Sequence, residues 1–148
     1  IDTNRHYVIC SNILGGCAGT TGPSSINPDT GSAYGTDFPL ISIIDTVNVE
    51  KILLSELGVG ELYAVVGGSL GGMVTLEFAA SFPTRVRSAV VLAAPAAQTA
   101  QGIAWNAIMR RAIAVGGVRE GLALARMVGM ADLLRRDHCL ELRYEAEA

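Results

Sequence analysis

A serine set among glycines is a chemical feature as much as a structural one. Gly67-Gly68-Ser69-Leu70-Gly71 fits the pattern G-x-S-x-G, in which a serine hydroxyl is presented on a sharp turn between a strand and a helix. Such a turn crowds backbone against backbone, so small neighbours are required there. Ser69 is therefore the candidate nucleophile. Leu70 would offer its backbone N–H at the start of the following helix, where the oxyanion of a tetrahedral intermediate would form. Two plainer readings compete: a Gly-rich turn that only packs closely, and one that binds an anion without covalent chemistry. A dinucleotide cradle fits poorly, because neither this turn nor Gly15-Gly16 reads G-x-G-x-x-G and no acidic residue follows about 20 positions later.

A serine nucleophile also needs a base and an acid that orients the base. His138 is the one histidine after Ser69, and its neighbours Arg136, Asp137 and Cys139 mark it as a solvated helix-end residue. His6 precedes the serine and reads as structural. No complete triad is expected within these residues. Arg110, Arg111, Arg126 and Arg135 stand in segments rich in Ala, Leu and Met, where most arginines are solvated or paired. One that faced the serine could clamp a substrate carboxylate with two hydrogen bonds.

The elements that must position these groups follow from the apolar pattern. His6 to Ser11 predicts a short buried strand, and Asn12 to Pro39, dominated by Gly, Ser, Thr, Pro and Asn, predicts a long loop. Asp45 is expected to cap a helix through Leu57, with Val49, Ile52, Leu53 and Leu57 at helical spacing and Gly58 as its stop. A strand at Leu62 to Val66, a helix at Met73 to Phe82 and a strand at Val86 to Ala94 then make a βαβ unit, which implies a parallel sheet. Two helices, Gln101 to Val115 and Glu120 to Asp137, follow on either side of Gly116-Gly117.

Bulk properties narrow the function classes. The 148 residues suffice for one domain with a real core, and 50% hydrophobic against 17% charged residues suits an α/β globule rather than a disordered chain. A net charge of −3 offers no broad basic field for nucleic acid. The 3 cysteines lack C-x-x-C spacing, so neither a disulfide framework nor a zinc site is expected, and a cytoplasmic setting fits best. No apolar run reaches the roughly 20 residues a membrane span needs. A chain that starts at Ile1 is expected to begin inside a longer protein.

Beyond these patterns, Ser11-Asn12-Ile13-Leu14-Gly15-Gly16-Cys17 and Gly19-Thr20-Thr21-Gly22-Pro23-Ser24-Ser25 resemble the signature loop of homoserine O-acetyltransferases, which are acyltransferases of the α/β-hydrolase fold. The likeness continues through Gly67-Gly68-Ser69-Leu70-Gly71-Gly72-Met73 and Gly121-Leu122-Ala123-Leu124-Ala125-Arg126-Met127, covering about residues 1 to 130. It implies an α/β fold: part of an α/β-hydrolase sheet over residues 1–98, then the start of a helical cap over 99–148. It also implies transfer of an acyl group from acyl-CoA to Ser69 and on to the hydroxyl of L-homoserine, feeding methionine biosynthesis. Acyl-CoA would be a co-substrate, with no resident cofactor and no metal. Carried over by position, Ser69 is the nucleophile, Leu70 an oxyanion-hole donor and Arg126 a substrate-binding arginine, and a homodimer is implied for the full-length form.

The chain departs from the family pattern in several places. The upstream segment that supplies a second oxyanion donor would precede Ile1, and the family's triad Asp and His would lie beyond residue 148, so this chain alone is expected to be inactive. The stretch from Val115 to Glu120 is shorter than usual, and Val74 and Ala131-Asp132 replace family residues, leaving acetyl or succinyl donor and homoserine or serine acceptor open. Two other readings are a serine esterase of the same fold and a non-catalytic remnant or interaction module.

Overall fold

Ser42 begins the first helix, and its chemistry shows why. In the computed structural model, which describes residues 1–130, α1 spans Ile43–Glu56. The Asp45 N–H donates to the Ser42 hydroxyl at 3.2 Å, and the Ser42 N–H donates to the Asp45 carboxylate at 2.9 Å. This reciprocal capping box satisfies two N–H groups that the helix ladder cannot reach. The Ser42 hydroxyl also donates to the Asp45 carboxylate, and this bond first, with the backbone bond second, holds the Asp45 carboxyl below its ordinary value. The expected cap, Asp45, is thus the third helical residue, because Ser42 is the one with extended dihedrals (φ −88°, ψ 166°). At the other end Gly58 takes a φ of +71°, and its N–H bonds to the Ser55 carbonyl at 3.0 Å, stopping the helix where expected.

Strands β1 (Val65–Gly68) and β2 (Ala89–Leu92) pair in parallel, in register from Val65 with Ala89 to Gly68 with Leu92. Helix α2 (Leu70–Ser81) connects them, so the βαβ unit is present with shifted bounds. The expected strands were Leu62 to Val66 and Val86 to Ala94. Leu62 does meet Val86, but only in an isolated bridge. Between bridge and ladder the Ser88 hydroxyl donates to the Tyr63 carbonyl at 2.7 Å, so a side chain bonds there. Helix α2 begins at Leu70 rather than Met73, running through Gly71 and Gly72 despite their poor propensity. It ends at Ser81, and Pro83 opens a short 3-10 turn, Pro83–Arg85.

The core lies between the two helices. Val47 and Leu54 of α1, seven residues apart, meet Val74 and Phe78 of α2, four apart, and Ile9, Ile13, Val65 and Val86 pack around them. The expected apolar stripe of α1 is not the buried one: Val49, Ile52, Leu53 and Leu57 are exposed, whereas Thr46, Val47 and Leu54 are buried. Both faces are apolar at helical spacing, and α2 packs on only one of them. The expected strand at His6 to Ser11 is also absent. Tyr7 and Val8 are exposed, and of this segment Ile9 packs against the core. An apolar run becomes a strand only when a neighbour offers ladder partners, and none does so among the described residues.

Residues 12–39 form the expected long loop, tied to itself. The Gly15 N–H donates to the Thr21 carbonyl at 3.0 Å, the Thr20 hydroxyl to the Ile13 carbonyl at 2.8 Å, and Ile26 bridges Ala33 in antiparallel fashion.

The described residues divide into two compact units after Ala96. In the second, Thr99 caps α3 (Ala100–Gly116) by accepting the Gly102 N–H at 3.1 Å. The chain then makes a wide π-type turn at Gly117–Gly121, with Gly117 at a φ of +68°, and residues 122–130 are helical again. The break at Gly116-Gly117 matches expectation. The next helix starts after Gly121 rather than at Glu120, and its expected residues 131–137 lie outside the described residues. No helix among the described residues is long and apolar enough to cross a membrane.

Candidate active site

The turn from β1 into α2 sets the geometry of the candidate site. Ser69 occupies the N-cap position with φ 53° and ψ −119°. Those are the dihedrals of the first central residue of a type II′ turn, a place glycine normally holds. Keeping a serine there costs about 1–3 kcal/mol, and strain of that kind survives only where the surroundings over-determine it.

Three contacts supply the determination. The Ser69 N–H donates to the Leu92 carbonyl at 2.9 Å, carrying the β1–β2 pairing one residue past the ladder. A Cβ on Gly67 would run into the Gly71 carbonyl and stand 2.6 Å from Thr75 Oγ1, with Thr75 itself buried. A Cβ on Gly72 would stand 2.5 Å from the Ala94 methyl. Helix α2 therefore approaches the strand ends more closely than any larger residue allows, which is why it can begin directly at Leu70.

At an ordinary N-cap the serine hydroxyl would bond to the helix N–H groups. Ser69 makes no such side-chain bond, and the residue is exposed. Its hydroxyl is not committed to the helix. The Gly72 and Met73 N–H groups donate back to the Ser69 carbonyl at 3.0 and 3.2 Å. The N–H groups of Leu70 and Gly71 lie ahead of the helix ladder, where the helix dipole favours negative charge. The turn can thus present a hydroxyl beside a backbone donor suited to an oxyanion.

Of the other candidates, His6 is placed apart from this turn. His6 stacks at 5.3 Å on Tyr63, ahead of β1, whereas Ser69 follows that strand, so the two stand at opposite ends of it. His138 and Arg135 lie outside the described residues. Arg126 is exposed on the helical residues 122–130 of the second unit, next to the buried Ala125, and Arg110 and Arg111 are exposed on α3. Within the first unit, Ser69 and Leu70 stand together at this turn.

The charged contacts of the first unit fasten the strand starts. Glu61 and Arg87 form a bidentate pair at 2.5 and 3.1 Å, and the Arg87 hydrogen bond holds the Glu61 carboxyl below its ordinary value. Arg85 reaches back from the 3-10 turn to the carbonyls of Gly60 (2.8 Å) and Val59 (2.5 Å). Glu50 on α1 is half-buried, which raises its pKa, against a weaker opposing bond from the Ser11 hydroxyl at 3.4 Å. Among the described residues no cluster of three or more His, Cys, Asp or Glu side chains is arranged to hold a metal ion.

Sequence reasoning missed the turn that follows β2. Ala93 has a φ of +49° and, with Ser69, is one of two non-glycine residues at positive φ among the described residues. Alanine advertises no such conformation, so the residue type carried no signal.

A family model described as the alpha/beta hydrolase fold matches residues 1–115. A homoserine O-acetyltransferase of Methanococcus vannielii is 50% identical over 149 aligned residues, which cover 93% of this chain and 30% of that protein. Among solved structures, esterase E22 superposes with a TM-score of 0.67 at 36% identity, covering 74% of this chain and 33% of its own. Homoserine O-acetyltransferase from Staphylococcus aureus gives 0.68 at 30% identity, covering 81% and 34%. The chain spans about 30% of the length of the curated relatives it matches.

Proposed function

The chain belongs to the α/β-hydrolase fold family, and from that premise we propose that the whole protein moves an acyl group from acyl-CoA to the hydroxyl of L-homoserine. The observation that carries this reading is Ser69 at positive φ between β1 and α2, in a chain half identical to homoserine O-acetyltransferases. Ser69 Oγ attacks the thioester carbonyl, and the Leu70 N–H stabilises the resulting oxyanion. The intermediate collapses with loss of the CoA thiol, leaving an ester on Ser69. The homoserine hydroxyl then attacks that ester, freeing O-acylhomoserine and the serine. A base must take the Ser69 proton and deliver one to the CoA thiolate, and in this reading that base and its orienting acid belong to the part of the whole protein beyond residue 148. Arg126 is the proposed clamp for the homoserine carboxylate. The product would enter methionine biosynthesis.

The test is release of CoA from acetyl-CoA, with and without homoserine. The whole protein should turn over only with homoserine, and Ser69→Ala should lower the rate by roughly 10⁴-fold or more, as loss of a catalytic serine does elsewhere. The 148-residue chain by itself should be inert; turnover by that chain would show that it holds its own base. Arg126→Ala should raise the KM for homoserine about 10- to 100-fold, the range for a lost charge-assisted bond.

The likeness to esterase E22 favours a second reading, in which water rather than homoserine resolves the acyl-serine. Hydrolysis of a simple acetyl ester at a rate indifferent to homoserine would establish it.

A further inference from the structure

We propose that Ala93 is a positioning residue for Ser69, acting through the Leu92 carbonyl; this rests on the reading of Ser69 as the nucleophile. The two non-glycine residues at positive φ among the described residues stand side by side. Ser69 immediately follows Gly68, Ala93 immediately follows Leu92, and Gly68 and Leu92 are partners in the parallel register. Both strands therefore leave the sheet at the same level through a residue in the left-handed region, with φ 53° and 49°.

The second of these turns braces the first. Leu92 presents its carbonyl to the Ser69 N–H at 2.9 Å. Two residues on, Ala94 places its methyl where a Cβ on Gly72 would stand 2.5 Å away. The segment Leu92-Ala93-Ala94 thus touches the elbow at the serine's own amide and at the first turn of α2. Positive φ at Ala93 lets one short turn make both contacts. Strained backbone at the carboxyl ends of parallel strands is where binding and catalysis concentrate in open α/β sheets.

Ala93 is itself exposed, so a substitution there changes backbone preference more than packing. Valine strongly disfavours positive φ because it is β-branched, whereas glycine accepts it freely and asparagine does so better than most residues. The experiment compares Ala93→Val, Ala93→Gly and Ala93→Asn in the whole protein by two readouts. One is the rate at which a fluorophosphonate probe labels Ser69, with Ser69→Ala as blank. The other is hydrogen exchange at the Ser69 amide.

Ala93→Val should slow labelling roughly 10- to 100-fold, the scale of a misplacement near 1 Å, and speed exchange at the Ser69 amide while core amides stay protected. Ala93→Gly and Ala93→Asn should restore both readouts to within about threefold of wild type, on the preference just described. A general loss of packing would instead expose core amides and would not follow φ preference. Wild-type labelling and wild-type exchange in folded Ala93→Val would overturn the proposal while leaving the nucleophile reading intact. A wild-type protein that the probe labels no faster than Ser69→Ala would overturn both. Should Ala93→Val fail to fold, Ala93→Asn and Ala93→Thr supply the same contrast, since threonine shares the β-branch.

Discussion

The glycine-built turns that lead into α2 and out of α3 manage strain in opposite ways. At Gly67–Gly72 the glycines make room, and the positive φ falls on a residue with a side chain, Ser69. At Gly116–Gly121 the outer glycines again permit close approach: a Cβ on Gly116 would stand 2.7 Å from the Gly121 nitrogen, and one on Gly121 would run into the Ala112 carbonyl. There, however, the positive φ falls on Gly117, with nothing within 4 Å of a Cβ it might carry. The second turn relieves its strain with glycine, as a purely structural connection does. The first retains strain on a hydroxyl-bearing residue, a cost to stability that a purely structural turn has no reason to keep.

The largest expected effect tests the feature the two turns share. Gly67→Ala and Gly121→Ala should each destabilise their unit by about 3 kcal/mol, the upper part of the range for overpacking, because the new methyl meets backbone rather than a movable side chain. Denaturant midpoints of the two variants would measure this. Of the two, Gly67→Ala should also abolish probe labelling of Ser69 directly. A tolerated Gly67→Ala would mean that the elbow is looser than its geometry indicates.

Gly117→Ala isolates backbone strain from crowding. With open space around it, the cost should be that of holding a side chain at φ 68° and ψ −172°, a region kept almost wholly for glycine, about 1–3 kcal/mol, again read from the unfolding midpoint. A cost well above about 3 kcal/mol would show that the second turn is crowded after all, and the contrast with Gly67 would weaken.

A fourth variant sets a reference at a helix start that no glycine builds. Ser42→Ala removes the capping box of α1 and should cost about 1 kcal/mol at neutral pH. Asp45 titrates below its ordinary value in the folded chain because Ser42 donates to it. Its stabilising contribution is therefore complete above the unfolded value near 3.8 and is lost as pH falls through the lower folded value. The wild type should lose stability across that acid window, and Ser42→Ala should lose less of it, in thermal melts at a series of pH values.

The smallest effect is the sharpest on function. Ser69→Gly relieves the left-handed penalty, offset in part by the greater freedom of glycine in the unfolded chain, for a net gain of about 0.5–1 kcal/mol. It should do so while abolishing acyl transfer. A variant that is both more stable and inactive would identify Ser69 as a residue retained against stability, whereas a destabilised one would make the elbow a structural turn like its counterpart.

Much of the site was legible because its signals are local. The glycines at 67, 68, 71 and 72 around Ser69 announce a crowded strand-to-helix turn, and Gly58 and the Gly116-Gly117 pair announce helix stops, since each requirement acts within a few residues. The capping residue could also have been found: Ser42 stands three positions before Asp45, the spacing of a reciprocal cap. The start of α2 was less accessible, because Gly71 and Gly72 read as breakers until their close approach to Gly67 and Ala94 is known.

The amino-acid sequence by itself therefore determined the elbow, the order of strand, helix and strand, and the points where helices stop, because hydrogen bonds between near neighbours and glycine dihedrals decide them. Tertiary structure alone decided which apolar face of α1 would be buried, since Val47 and Leu54 compete with Val49, Ile52 and Leu53 until α2 packs on one side. It decided against a strand at residues 6–11, for want of a ladder partner among the described residues. It also placed Ala93 in the left-handed region beside Ser69, a conformation that depends on the neighbouring strand and that an alanine side chain does nothing to announce.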